Sequence, residues 1–169
     1  METQQMTTVS HSVISAAQLL AHWQGHRNLT RKLIEAYPED QIFNYSIGDM
    51  RPFAELIMEI MDLSGGGVEG IVTGKWKVLD ELSHVNGNYP KTKTEMLERW
   101  DAVTDQINNF WPQISLERYQ ENVMAFGAYE GSVYSTLLYV IDNEIHHRAQ
   151  AYVYLRSLGI TPPPFWDRY

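Results

Sequence analysis

The densest run of reactive side chains in this 169-residue chain is Asp142-Asn143-Glu144-Ile145-His146-His147-Arg148-Ala149-Gln150. These polar groups crowd the middle of an otherwise apolar helical stretch, where each is costly if buried without a partner. Asn143 and His147 stand four residues apart and so project from one face of a helix. Asp142 and His146 share the spacing but turn further from the apolar side. An i,i+4 pair containing histidine is the spacing by which one helix offers two ligands to a metal ion. Earlier in the chain, Glu59 is flanked by Leu56, Ile60 and Leu63, which sets its carboxylate at the margin of a core-facing stripe. Bundles assemble metal sites from inward carboxylates and imidazoles on facing helices. Glu59, Asn143 and His147 would supply oxygen, oxygen and nitrogen, a set suited to Mn, Ni or Zn. The plain alternative is a polar face with solvated histidines and Glu59 paired to Arg148 or another cation. Both stay open on the residues alone.

Around these three, Glu144, His146 and Arg148 are candidates to orient the ligands or carry protons, and His26 could reach in from another helix. His22 and His26 are four apart, with His26 near Trp23 and Thr30, so a half-exposed helix margin is the competing reading. Tyr134, Tyr139, Tyr152 and Tyr154 either line a pocket over His147 or fill the core. Gly65-x-Gly67-x-x-Gly70 has the letters of a dinucleotide fingerprint, but it follows a helix rather than a strand and lies in no βαβ unit.

The elements that must position these residues are helices. From Ser12 to Tyr37, Ala16, Leu19, Leu20, Trp23, Leu29, Leu33, Ile34 and Tyr37 recur at three or four steps, and Pro38 closes the pattern. A second helix starts near Asp49, which can cap it, with Pro52 tolerated in the first turn. It carries Phe53, Leu56, Ile60 and Leu63. Gly65-Gly66-Gly67 costs a helix roughly 2–3 kcal/mol relative to alanine, so a break or bend is expected there. Residues 75–91 read as a long connection with a short helical piece at Val78–Leu82. Thr92 or Thr94 caps a third helix that runs to Trp111. Residues 113–131 look too irregular for a helix and too short for a sheet. The fourth helix spans Ser132 to Leu158, ended by Gly159. The tail Pro162-Pro163-Pro164-Phe165-Trp166 is stiff and aromatic and is expected to pack back on the bundle. Four amphipathic helices without a convincing strand predict an all-α, four-helix bundle as one domain over 1–169, with a loose start at 1–11 and the tail at 160–169. The long second connection allows a crossover.

Composition narrows the function classes. Thirteen Lys+Arg against 21 Asp+Glu give a net charge of −8, and no basic stripe offsets it, so no nucleic-acid partner is expected. The apolar run Val133–Ile141 is about half the ~20 residues of a membrane span, and the first twenty residues lack the pattern of a signal peptide. The absence of cysteine removes thiol nucleophiles and disulfide frameworks and fits a reducing cytoplasm, the expected location.

Met50-Arg51-Pro52-Phe53-Ala54-Glu55-Leu56, the stretch from Asn143 through Arg148 to Arg156, and Leu158-Gly159-Ile160-Thr161-Pro162-Pro163 together resemble the DNA-damage-inducible DinB-like family, over roughly residues 12–168. The resemblance implies a DinB/YfiT-like four-helix bundle, often a homodimer. In that family three histidines bind a divalent metal, one on helix 2 and two on helix 4, and some relatives are metal-dependent hydrolases or transferases of small thiols. Carried over by position, the three fall on Glu59, Asn143 and His147, and a customary glycine falls on Ala149. Two of three imidazoles are thus replaced, and a neutral amide oxygen is the poorer ligand. The resemblance therefore implies either a weakened metal enzyme or a metal-free, dimeric binding or stress-response bundle whose site has become a buried polar network.

Overall fold

Long helices form where the apolar spacing requires them, and three of the four starts are fixed by a side-chain cap. In the computed structural model, which describes residues 13–169, these are α1 (Ala16–Ala36), α2 (Phe53–Thr73), α4 (Lys93–Phe110) and α5 (Val133–Ser157), with a single-turn α3 (Ser83–Asn86) in the connection. The loose start expected at 1–11 lies outside the described residues. Ser15 and Gln18 form a reciprocal capping box on α1, so that helix begins at Ala16 rather than Ser12. Thr92 caps α4 and Ser132 caps α5 through their hydroxyls. The start of α2 differs from expectation. Pro52, not Asp49, is the residue before its first turn, and no side chain caps it.

The helices pack in a square, with α2–α5, α5–α1, α1–α4 and α4–α2 as its sides. Two apolar cores stack along the axis. One joins Trp23, Val68, Ile71, Ile107, Trp111 and Leu137. The other joins Leu33, Tyr37, Phe53, Ile57, Trp100 and Leu155. Chain order through these cores shows that α2 and α4 run parallel, so the connection over 74–92 must cross the length of the bundle. It is the crossover that the sequence allowed.

Three local expectations are corrected. α2 does not break at Gly65-Gly66-Gly67 but continues to Thr73, because the glycines let neighbouring side chains close on its backbone. The helical piece expected at Val78–Leu82 is a 3-10 turn at Leu79–Glu81 followed by α3. Residues 113–131 do contain strands: β1 (Asn122–Ala125) pairs antiparallel with β2 (Tyr129–Ser132). Phe126 and Gly127 reverse the chain between them with φ of 54° and 70°. A hairpin this short has no room for an alternating pattern, and its register is set by that turn and by Val133 N–H donating to Glu121 O. In the tail, Phe165 and Trp166 are exposed. The contacts with α1 are made instead by Lys32 to Asp167, Asn28 to the Arg168 carbonyl, and the Tyr169 ring over Gly25.

Candidate functional site

Between the two apolar cores every bundle helix turns polar: His26, Arg27 and Thr30 on α1, Glu59 and Asp62 on α2, Thr104 on α4, and Asn143, Glu144, His147 and Arg148 on α5. Glu59, Asn143 and His147 meet in this layer. Asn143 Nδ2 donates to Glu59 Oε1 at 2.9 Å, and His147 Nε2 lies 3.1 Å from the same oxygen. Arg51, just before α2, reaches the other carboxylate oxygen at 2.6 Å. His147 Nδ1 faces Gln150 Oε1 at 2.8 Å. With its N–H on Nε2 the ring donates to Glu59 Oε1, and the Gln150 amide, turned over, donates to Nδ1. Burial by itself would push the Glu59 carboxyl up, but hydrogen bonds from His147, Asn143 and Arg51 outweigh it and hold the group well below the usual carboxylate range. Asn143 Oδ1 is buried without a partner.

The residues expected to support this trio do not all join it. His26, Glu144 and Arg148 form a separate network towards α1. Glu144 is fully buried and accepts from Trp23 Nε1 at 3.1 Å and Thr30 Oγ1 at 2.6 Å. Arg27 and Arg148 lie 3.9 and 3.8 Å from its oxygens, so its charge is spent on buried arginines. His26 is buried, not a half-exposed margin, and accepts at Nδ1 from Arg148 Nη2 at 2.8 Å. Arg148 accordingly is not the partner of Glu59; Arg51 is. His146 is exposed and meets only the edge of the His147 ring, with centroids 5.0 Å apart.

Glu59 also reaches a cleft of about 290 Å³ on the outer face of the α2–α5 seam. Its walls come from the crossover connection (Leu79, Leu82, His84), the hairpin (Phe126, Tyr129, Glu130) and the first turns of α5 (Ser135, Tyr139, Val140). Of the four tyrosines considered for a pocket over His147, only Tyr139 lines the cleft. Tyr154 is buried with its hydroxyl on the Arg51 carbonyl, and Tyr134 lies on a different surface hollow. A larger groove of about 500 Å³ between α1 and α4 does not touch Glu59.

One pair escaped the sequence reading altogether. Asp62, one helical turn after Glu59 and buried, accepts from both the backbone N–H and Nδ1 of His84 at 2.8 Å. Its place at i+3 from Glu59 was the available signal. His84 carried none, because it sits in the irregular connection. Among the described residues no group of three or more His, Asp, Glu or Cys side chains is positioned to hold a metal ion. No helix described is long and apolar enough to cross a membrane.

The family model described as "DinB family" matches residues 4–168. YjoA of Bacillus subtilis (strain 168) is 23% identical over 154 residues, covering 89% of this chain and 96% of that protein. The crystal structure of YjoA, a DinB-like protein, superposes with a TM-score of 0.69 at 21% identity, covering 90% of this chain and 99% of that one. A DinB-like protein from Bacillus cereus ATCC 10987 gives a TM-score of 0.66 at 14% identity, covering 88% and 95%. At these identities the structures speak to the fold.

Proposed function

Because the chain belongs to the DinB family, we propose that it is a small-molecule-binding member whose metal position is closed by hydrogen bonds, with the cleft above Glu59 as the binding site. The observation that carries this reading is the occupancy of Glu59. One carboxylate oxygen takes the Asn143 amide and the His147 ring, and the other takes the Arg51 guanidinium. A divalent ion at that point would have to part both donors from Oε1 and sit beside a fixed positive charge. It would gain only one imidazole and a neutral amide oxygen in return. The donor set in this arrangement does not fit a resident metal. What the trio does instead is tie α2 to α5 where the cleft meets the bundle.

The test is thermal melting of untagged protein after chelation and again with Ni, Zn or Mn added. The expected melting temperature is the same in all. A resident ion would make it rise with metal concentration, and loss of that rise in His147→Ala would overturn the proposal.

One observation favours a second reading, in which Glu59, Asn143 and His147 do hold such an ion. Asn143 Oδ1 is buried and unpartnered, and turning the amide over would offer that oxygen to the cluster. The ion would supply Lewis-acid chemistry of the hydrolytic or thiol-transfer kind. The same melting series decides between the two.

A further inference from the structure

Asp62 and His84 make a second carboxylate–imidazole pair on the same cleft, independent of the Glu59 cluster. The Asp62 carboxylate can only accept, so the 2.8 Å contact with Nδ1 fixes the proton of the neutral ring on that nitrogen. Nε2 is then left as a lone-pair acceptor with no hydrogen-bond partner among the described residues, on a ring that lines the cleft. The pair is held rigidly. Asp62 also accepts from the His84 backbone N–H, Arg99 stands 3.5 Å from the other Asp62 oxygen and binds Ser83 Oγ at 2.6 Å, and Tyr89 donates to the His84 carbonyl. The other walls include Leu63, Leu82, Phe126 and Val140, the rings of Tyr129 and Tyr139, and the hydroxyls of Ser135 and Thr136. Glu130 and Glu59, the latter paired with Arg51, also line the cleft.

We propose that Asp62 and His84 form the proton-accepting dyad of this cleft, and that the cleft takes a small neutral aromatic hydroxyl compound whose O–H is set against His84 Nε2. Two observations converge on that class: an acceptor with its tautomer fixed, and walls that are largely apolar and aromatic. The volume lies near the lower end of ordinary ligand pockets, about 300–1,000 Å³, which suits a single ring. On proton transfer the O–H bond breaks and an N–H bond forms at Nε2. The electron pair stays on the ligand oxygen, and the new imidazolium is balanced by Asp62. Arg99, on the far oxygen of Asp62, and Glu59 and Glu130 on the cleft walls are the other charges facing the ring. Asp62 is a positioning residue. His84 is the group that touches the ligand.

This inference rests on the cleft being a ligand site, and the experiment separates the two. The full chain is titrated with 4-nitrophenol, whose phenol and phenolate forms absorb differently, in mildly acidic buffer where the free compound is mostly phenol. Binding is followed separately by chemical-shift changes at Leu82, Phe126 and Tyr139. The expected result is saturable shifts at those residues, together with a phenolate band in the bound fraction. His84→Gln and Asp62→Asn lose the band, and His84→Gln also weakens the binding that the shifts report. In Asp62→Asn the amide oxygen can still accept from the His84 backbone N–H and from Nδ1, so the ¹⁵N shifts of His84 keep the same tautomer and what is lost is the charge that balances the imidazolium. Binding with the spectrum of the free compound, or a band that survives His84→Gln, overturns the dyad alone. No shifts at the cleft residues overturn both the dyad and the ligand site. Should either variant fail to fold, the ¹⁵N tautomer of His84 in the unaltered protein still decides: a proton on Nε2 with Nδ1 bare overturns the proposal.

Discussion

Glu59 carries its charge in a half-buried place because three donors converge on it, and that gives its contribution to stability a definite pH dependence. Its folded pKa lies below the ordinary value of 4.5, so its stabilisation is fully present above that value and is lost as pH falls below it. Glu59→Gln keeps an acceptor oxygen for Asn143 and His147 but gives up the charge that holds Arg51. It is expected to cost about 1.5–3 kcal/mol at neutral pH, the usual worth of hydrogen bonds to charged groups. Urea denaturation across pH should show that gap narrowing once the medium is acid enough to protonate the native carboxylate; a gap independent of pH would remove the ionic role. Glu59, Asn143 and His147 were legible in the sequence because helical period alone sets two of them on one face and the third on a core margin. Arg51 was not, since it precedes α2 and reaches the carboxylate from outside the helix. Asp62 and His84 meet across 22 residues that span the end of α2 and most of the connection, a contact no periodicity encodes.

At the scale of elements, α2 is where local propensity and tertiary packing disagree, and packing decides. A Cβ on Gly70 would lie 2.4 Å from the Trp76 ring, and one on Gly66 would lie 3.3 Å from Phe126. Those aromatic rings meet edge to face, with centroids 5.4 Å apart, and Phe126 is also a wall of the cleft. The glycines thus lower the helix's own propensity and let the connection and the hairpin close on it. At Gly67 the nearest atom to a new Cβ is a Val140 methyl at 3.6 Å, an ordinary contact. Gly67→Ala is therefore expected to raise stability by about 0.5–1 kcal/mol through helix propensity. Gly70→Ala is expected to lower it by about 1–3 kcal/mol by overpacking against Trp76. Melting curves of the two variants check this, and equal shifts would mean that propensity alone governs α2. The four long helices were readable from their apolar stripes, and three of their four starts lie at or within a few residues of a capping side chain. The hairpin and the unbroken glycine run were not readable, because both depend on which distant ring arrives.

The molecule as a whole is organised about its polar layer, and His26 is where α1, α5 and the C-terminal tail come together within it. Nδ1 accepts from Arg148, and Nε2 has His22 at 3.2 Å and Arg168 of the tail at 3.1 Å. Burial, followed by the charges of Arg148, His22 and Arg168, lowers its pKa from 6.5 to about 3. Between those values the unfolded chain binds a proton that the native ring refuses, so stability must fall as pH drops from 6.5 towards 3. The limiting slope is about 1.4 kcal/mol per pH unit, so roughly 2 kcal/mol is lost by about pH 5. That window lies above the one in which Glu59 begins to matter, which separates the two effects. His26→Gln can still accept from Arg148 through its amide oxygen but cannot titrate. It should flatten the dependence of unfolding free energy between pH 6.5 and 5 while leaving the steeper loss below 4.5. Measured slopes that match in the variant and the unaltered protein over the upper window would show that His26 takes up its proton without leaving the fold. The junction of tail and bundle would then not be acid-sensitive at this residue.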